Sequence, residues 1–264
     1  MSEPLHIEGI GNIEVAFSER GTGQPVILLH GGAGPLSVVP WAELLARTRP
    51  ARVITPTHPG FMGTPRPDAL NDVAGLAQVY AALIRKLGLD GVTIVGNSVG
   101  GWIAAELALL APTLVKKLVL VDACGIEVPG HPVADVFALS LDELSRLSYH
   151  DPQRFRIDPS KLTPEQKAMF ASNFATLKVY GGTMMDARLR ARLQAITAPT
   201  LVVWGEADRV VDPDYGRAYA QAIPNARFEL LAGTGHVPLI ETPQLLADTI
   251  WPFMAAQESR RVQG

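Results

Sequence analysis

Gly96-Asn97-Ser98-Val99-Gly100-Gly101 follows the β-branched run Val92-Thr93-Ile94-Val95 and leads into an apolar helical pattern over 99–110, which Pro112 closes. A serine wedged between a strand and a helix must reverse the chain within one residue, which forces strained backbone angles on it. Glycines two positions to either side remove the β-carbons that would collide as strand and helix converge. The Ser98 hydroxyl is thereby raised clear of the sheet. The Val99 amide falls at a helix N-terminus, where backbone donors lack intrahelical partners and the dipole favours negative charge.

Outward from this turn, short β-rich runs alternate with longer helical ones, the pattern of a mostly parallel sheet covered on both faces. Residues 6–19 read as a hairpin turning at Gly11-Asn12, and 25–29 as a buried strand ending at His30-Gly31-Gly32. Residues 52–55 form another strand, running into His58-Pro59-Gly60. A helix over 71–87 opens with Asn71 as a possible cap and closes at Gly88. Strands follow at 118–122, 200–204 and 227–231, then a closing helix over 242–254 that Pro252 could shorten; 257–264 reads as a frayed polar tail.

Between Asp122 and Thr200 the alternation breaks. Helical patterns over 133–147, 164–177 and 186–196 are separated by Asp151-Pro152, Asp158-Pro159 and Gly181-Gly182. A helical insertion leaving one strand end and returning to the next lies over the edge where open α/β sheets bind ligands. The expected organisation is a core of 1–124 and 198–264 with a helical cap of 125–197 after the sixth strand.

The chain has 264 residues, 47% apolar, with a formal charge of -3, so it is long enough for one large domain and gives no sign of a nucleic-acid or membrane-surface partner. The first fifteen residues lack a basic and then apolar leader pattern, and no apolar run approaches spanning length, so the expected location is cytoplasmic. The single cysteine, Cys124, cannot form an internal disulfide and reads as a small buried hydrophobe. The histidines show no metal-ligand spacing, and no cofactor is expected. His6, His131 and His150 read as exposed, His30 and His58 as structural.

Two further residues stand on strand-end loops. Asp208, in Gly205-Glu206-Ala207-Asp208, follows the strand over 200–204; His236, in Gly233-Thr234-Gly235-His236-Val237-Pro238, follows the last strand among small residues that leave room for an imidazole. Glu206 beside Asp208 reads as structural. Asp122, at the end of the preceding strand, is the rival acid.

The order His30-Gly31-Gly32, then the serine turn, then Asp208, then His236 resembles the α/β-hydrolase superfamily over roughly 25–122 and 198–254. The resemblance implies the α/β-hydrolase fold and a catalytic triad in the chain order nucleophile, acid, histidine: Ser98, Asp208, His236. It also implies an oxyanion hole from the Val99 amide and a second amide, Gly32, with Ala33 as the alternative. A serine nucleophile departs from the branches of the family that use aspartate. The glycine strings are also similar to those of meta-cleavage-product hydrolases, which split carbon–carbon bonds of dienoates. Those enzymes usually carry a tryptophan after the histidine, where this chain has Val237, and an arginine in the cap. Five cap arginines (154, 156, 188, 190 and 192) are candidates for that role, and nothing in the sequence separates them.

The expected activity is hydrolysis of a carboxylic ester, or a similar acyl bond, in a small apolar substrate, with no partner beyond that substrate and an open oligomeric state. Carbon–carbon hydrolysis of a dienoate is the alternative, cofactor-free perhydrolysis on the same scaffold a lesser variant, and a non-catalytic receptor on the same fold the third reading. The candidate pocket residues are Phe137, Phe170, Phe174, Met184 and Val237, with Phe155, Met169 and Met185 as further apolar side chains of the cap.

Overall fold

The computed structural model describes residues 1–256; the expected polar tail, 257–264, lies outside the described residues. Eight strands form one sheet in the order β1-β2-β4-β3-β5-β6-β7-β8. They are β1 Ser2–Ile7, β2 Gly11–Arg20, β3 Gln24–Leu29, β4 Ala51–Pro56, β5 Val92–Asn97, β6 Val115–Val121, β7 Thr200–Gly205 and β8 Arg227–Leu231. β2 runs antiparallel to both its neighbours, β1 and β4; β4, β3, β5, β6, β7 and β8 are mutually parallel. β3, β5 and β7 are apolar or buried along nearly their whole length, as strands covered on both faces must be.

The helices are α1 Val39–Thr48, α2 Val73–Lys86, α3 Val99–Leu110, α4 Leu141–Ser148, α5 Pro152–Phe155, α6 Pro164–Gly181, α7 Leu189–Arg192, α8 Pro213–Ala222, α9 Pro238–Glu241 and α10 Pro243–Ala255. α2, α3 and α8 contribute to the hydrophobic cluster on one face of the sheet, α1, α9 and α10 to the cluster on the other. α4 to α7 all fall between β6 and β7, the stretch expected to interrupt the alternation.

Several local expectations are corrected. The hairpin turns earlier, at Glu8-Gly9-Ile10, where Gly9 takes a left-handed angle (φ 77°), since Gly11 and Asn12 already pair with Ile7 and His6. α2 is capped by Asp72, whose carboxylate accepts the Gly75 N–H at 2.7 Å, not by Asn71. Of the helix expected over 133–147 only α4 forms. Ser140 and Glu143 close a reciprocal cap there, while the Ala134 N–H is drawn to the Val210 carbonyl at 2.9 Å. The pattern over 186–196 gives only short α7 and a 3-10 turn, since Asp186 is tied by its N–H to the Gly125 carbonyl at 2.8 Å. The closing helix forms as α10, preceded by short α9, but it runs through Pro252 to Ala255 instead of ending at the proline. The proline is tolerated close to the helix end, where the buried Lys117 ammonium donates to the carbonyls of Phe253, Met254 and Ala256.

Candidate active site

The chain bends at Ser98 with φ 56° and ψ −122°, a region that a side chain rarely occupies. A β-carbon on Gly96 would sit 2.2 Å from the Gly100 carbonyl oxygen, and one on Gly100 would sit 2.3 Å from that of Leu29. Both positions therefore need glycine for β5, α3 and β3 to approach. Val99 opens α3, so its N–H has no intrahelical acceptor. The loop after β3 brings Gly31, Gly32 and Ala33 into the same cavity as Ser98.

Ser98, His236 and Asp208, far apart in sequence, form one hydrogen-bonded chain. Ser98 Oγ lies 3.0 Å from His236 Nε2, and His236 Nδ1 lies 2.8 Å from Asp208 Oδ2. Oδ1 of Asp208 accepts the N–H groups of Val210 and Val211, at 2.8 and 3.1 Å. With one carboxylate oxygen filled from the backbone, the other is left to hold Nδ1–H, so Nε2 presents its lone pair to the serine. All this happens at the carboxyl ends of parallel strands on one side of the sheet: Ser98 follows β5, Asp208 follows β7 and His236 follows β8.

The contacts that hold His236 in place were not visible in the sequence. Its N–H donates to the Ser148 carbonyl at 2.7 Å, and its own carbonyl accepts from Asn97 Nδ2 at 3.2 Å. Glu241 accepts the N–H groups of Gly235, His150 and Asp151, at 2.6, 3.1 and 2.9 Å, clamping the histidine loop to the insertion. Asn97 could have been suspected as a polar residue ending an otherwise apolar strand. Nothing local marks Ser148 or Glu241. Glu206 is structural as expected, accepting the Gly233 N–H at 3.1 Å.

Asp122 does not take the orienting position beside the imidazole. It is fully buried with φ 47°, and its Oδ1 accepts the Gly205 N–H at 2.7 Å. Burial and then the charge of Asp208 push its carboxyl well above the usual range, against the Gly205 N–H, which lowers it. Ligand atoms of Asp122, Asp208 and His236 lie within 4.8 Å of one another, a spacing that could hold a cation. Nδ1 of His236 and both oxygens of Asp208 are already engaged in the contacts above.

His30 and His58 lie beneath the glycine loop as expected, fully buried and stacked at 3.6 Å. The His58 N–H donates to His30 Nε2 at 3.1 Å, and His58 Nε2–H donates to the His30 carbonyl at 2.9 Å. Burial lowers both rings, His58 to about 4 and His30 well below the usual value, with the neighbouring ring contributing to the second. Of the remaining histidines, His6 and His150 are exposed, while His131 is half-buried against Asp212 at 2.8 Å.

A cavity of about 120 Å³ opens over Ser98. The insertion supplies an apolar roof that includes Phe170, Phe174, Leu177 and Met184, and Val237 closes it beside the histidine. Phe137 is a correction: it does not line the cavity but stands edge-on behind Phe174 with ring centres 6.5 Å apart. Phe155, Met169 and Met185 lie outside the lining too; Phe155 stacks on Tyr149, which does line it. Cys124 borders the cavity as a buried thiol that burial pushes up to about 12.

Among the described residues, no aspartate, glutamate, lysine or arginine lines the cavity. The candidate arginines are spent elsewhere: Arg192 on Glu106 and Arg188 on Asp186, at 2.7 and 3.2 Å, and Arg156 on Asp142 at 3.5 Å. Arg154 lies over the Phe155 ring, and Arg190 is not among the lining residues. No helix among the described residues is long and apolar enough to cross a membrane.

Known proteins resemble this chain at two levels. By sequence, the chain is 30% identical over 273 residues to a 2-hydroxy-6-oxo-6-(2'-aminophenyl)hexa-2,4-dienoic acid hydrolase of Metapseudomonas resinovorans, covering 96% of this chain and 93% of that one. It is 25% identical to Lipase 1 of Psychrobacter immobilis, over 94% and 83% of the two chains. By structure, an esterase of Exiguobacterium antarcticum superposes with a TM-score of 0.75 at 22% identity, over 97% and 100%, a likeness of fold alone. The sequence model of the alpha/beta hydrolase family matches residues 26–249, from β3 into α10. With that pattern running through the sheet, the serine turn and the histidine loop, the chain belongs to the alpha/beta hydrolase family.

Proposed function

We propose that the chain is a serine hydrolase that cleaves a small, uncharged, apolar carboxylic ester through an acyl-enzyme on Ser98. The observation that carries this reading is a cavity lined by apolar side chains, hydroxyls and backbone, with no fixed charge apart from what the His236 imidazole can acquire. A carboxylate-bearing substrate held there would have no cation to meet, and an unpaired buried charge costs several kcal/mol. The volume of about 120 Å³ is of the order of the ~150 Å³ apolar cavities that admit benzene, which suits a short acyl or alkyl group.

In this mechanism His236 Nε2 takes the Ser98 proton as Oγ attacks the carbonyl carbon. Asp208 fixes the tautomer and faces the imidazolium that forms. The Val99 amide and the Gly32 amide, with Ala33 as the alternative to Gly32, receive the oxyanion. The tetrahedral intermediate collapses, His236 returns its proton to the departing alkoxide, and the alcohol leaves. Water then attacks the acyl group, giving one proton to His236, which passes it back to Ser98 as the acid is released.

A second reading, carbon–carbon hydrolysis of a dienoate, is favoured by the 30% identity to the aminophenyl-hexadienoic acid hydrolase. The uncharged cavity weighs against it, because such a substrate carries a carboxylate. A fluorophosphonate probe should label Ser98, and Ser98→Ala should abolish both labelling and turnover of short p-nitrophenyl esters. Turnover persisting in that variant would remove the serine mechanism. Turnover of a vinylogous diketone dienoate exceeding that of every ester in a chain-length panel would replace the first reading with the second.

A further inference from the structure

Behind the histidine two carboxyl groups meet where the ends of β6 and β7 lie side by side. Those strands pair in parallel, with Val121 opposite Val203, so Asp122 and Asp208 leave the sheet together. Asp208 has both oxygens occupied by donors: two backbone N–H groups on Oδ1 and the imidazole on Oδ2. Asp122 has one, the Gly205 N–H on Oδ1, while its Oδ2 is buried and receives no N–H or O–H donor from the protein. That oxygen is fully enclosed, and ligand atoms of the Asp122 and Asp208 carboxyl groups lie within 4.8 Å of each other.

Two carboxylate oxygens cannot hydrogen-bond to each other unless one of them carries a proton. The groups facing the pair leave it no other source of compensation. They are the His236 imidazole on Asp208 and the Cys124 thiol, which feels the Asp208 charge and which burial holds in its neutral form. The one cation adjoining in sequence, Arg209, points its guanidinium at the carbonyls of Arg146 and Tyr149. Among the described residues no lysine or arginine forms an ion pair with Asp122 or Asp208. Asp208, with two backbone N–H donors and the imidazole before it, is the better-solvated anion. Asp122 is the better acid form, with one oxygen accepting and the other free to donate.

We infer that Asp122 is a positioning residue: it keeps a proton on Oδ2 at neutral pH and donates it to the Asp208 carboxylate, steadying the anion that orients His236. This rests on the proposed role of Asp208 and His236 in serving Ser98. The raised affinity of Asp122 for a proton agrees with it. The arrangement gives Asp208 a further hydrogen bond without adding a second negative charge beside the imidazole. An ionised Asp122 would strengthen the proton affinity of His236 and hold it in the form that cannot act as base.

The test has two arms. In the first, kcat, KM and the pH profile of ester turnover are compared for wild type, D122A and D122N. D122A leaves the Gly205 N–H unpaired and removes the donor to Asp208; kcat should fall roughly ten- to hundredfold with little change in KM. D122N keeps an acceptor for Gly205 and an N–H for Asp208, so it should recover most of that loss with the acid limb of the profile where it was. An acid limb in D122N displaced downward by roughly one pH unit or more would mean that a negative charge had been removed, and would overturn the inference. So would a D122N variant as impaired in kcat as D122A. The second arm needs no variant to fold. Infrared spectra of wild type with aspartate 13C-labelled at the carboxyl should contain a protonated-acid band at pH 7, shifted in D2O; its absence refutes the inference. Fluorophosphonate labelling of Ser98 in the same wild-type sample reports on the serine mechanism separately, so the two failures are told apart.

Discussion

Lowering the pH from 7 to 5 should destabilise this protein through His58, and the size of the effect can be worked from its surroundings. Both neighbours of the His58 ring fix its neutral form: Nε2–H is committed to the His30 carbonyl, and Nδ1 faces the Tyr80 hydroxyl. The stacked His30 ring is equally committed, its Nε2 accepting from the His58 backbone and its Nδ1 donating to the Gly31 carbonyl at 2.8 Å. A proton on His30 Nε2 would point one N–H at another. The folded ring of His58 is lowered to about 4 against about 6.5 when unfolded, so this histidine costs little at pH 7 and above. As the pH falls from 6.5 towards 4 the unfolded chain takes up the proton and the folded chain does not, so stability is lost across that window. At about 1.4 kcal/mol per pH unit, His58 alone accounts for about 2 kcal/mol at pH 5, a large part of the ~5–15 kcal/mol that holds a domain folded. The assay is urea unfolding of wild type and His58→Gln at pH 7 and pH 5. Glutamine cannot take the proton, so wild type should lose about 2 kcal/mol more than the variant between the two pH values. Equal losses in the two proteins would refute the assignment of a proton-free ring beneath the glycine loop.

The other predictions concern the cavity and its clamp. Matched p-nitrophenyl esters of butyrate and of hemisuccinate differ by one carboxylate at the acyl end; with no cation in the lining, the charged ester should be disfavoured in kcat/KM by roughly a hundredfold or more, and a ratio below tenfold would contradict the uncharged pocket. Glu241→Gln keeps one acceptor but loses the charge that gathers three N–H groups, so kcat should fall about five- to tenfold and hydrogen exchange at His150 and Asp151 should quicken; unchanged exchange there would mean the clamp does not hold the seam.

How much of this was legible depended on how local the cause was. The serine turn could be read because its strain, its glycines and its flanking strand and helix are all contained in a dozen residues. Asp208 and His236 were legible because each follows a strand, and strand ends in a parallel sheet converge on one edge. The helix expected over 133–147 failed because a tertiary partner overrode its periodicity: Ala134 bonds to Val210, and Val133 and Val136 turn their apolar side chains into the cavity. Phe137 failed for a related reason. Spacing puts it near Phe174, but only the packing decides which of the two rings faces the cavity and which stands behind. The fate of Arg192 was beyond reach, because its partner Glu106 lies 86 residues away on α3.

That last point bears on how one sheet can carry different reactions. The serine turn, the acid and the histidine are held by the core, whose spacing is set by strand pairing and by glycines that admit no β-carbon. What a substrate meets above that frame is set by the insertion. Here Arg192 pairs with Glu106 and Asp186, and Arg188 with Asp186, and among the described residues neither arginine lines the cavity. The preference proposed for uncharged esters therefore rests on which insertion side chains face the cavity, while the serine turn and its partners could stay the same.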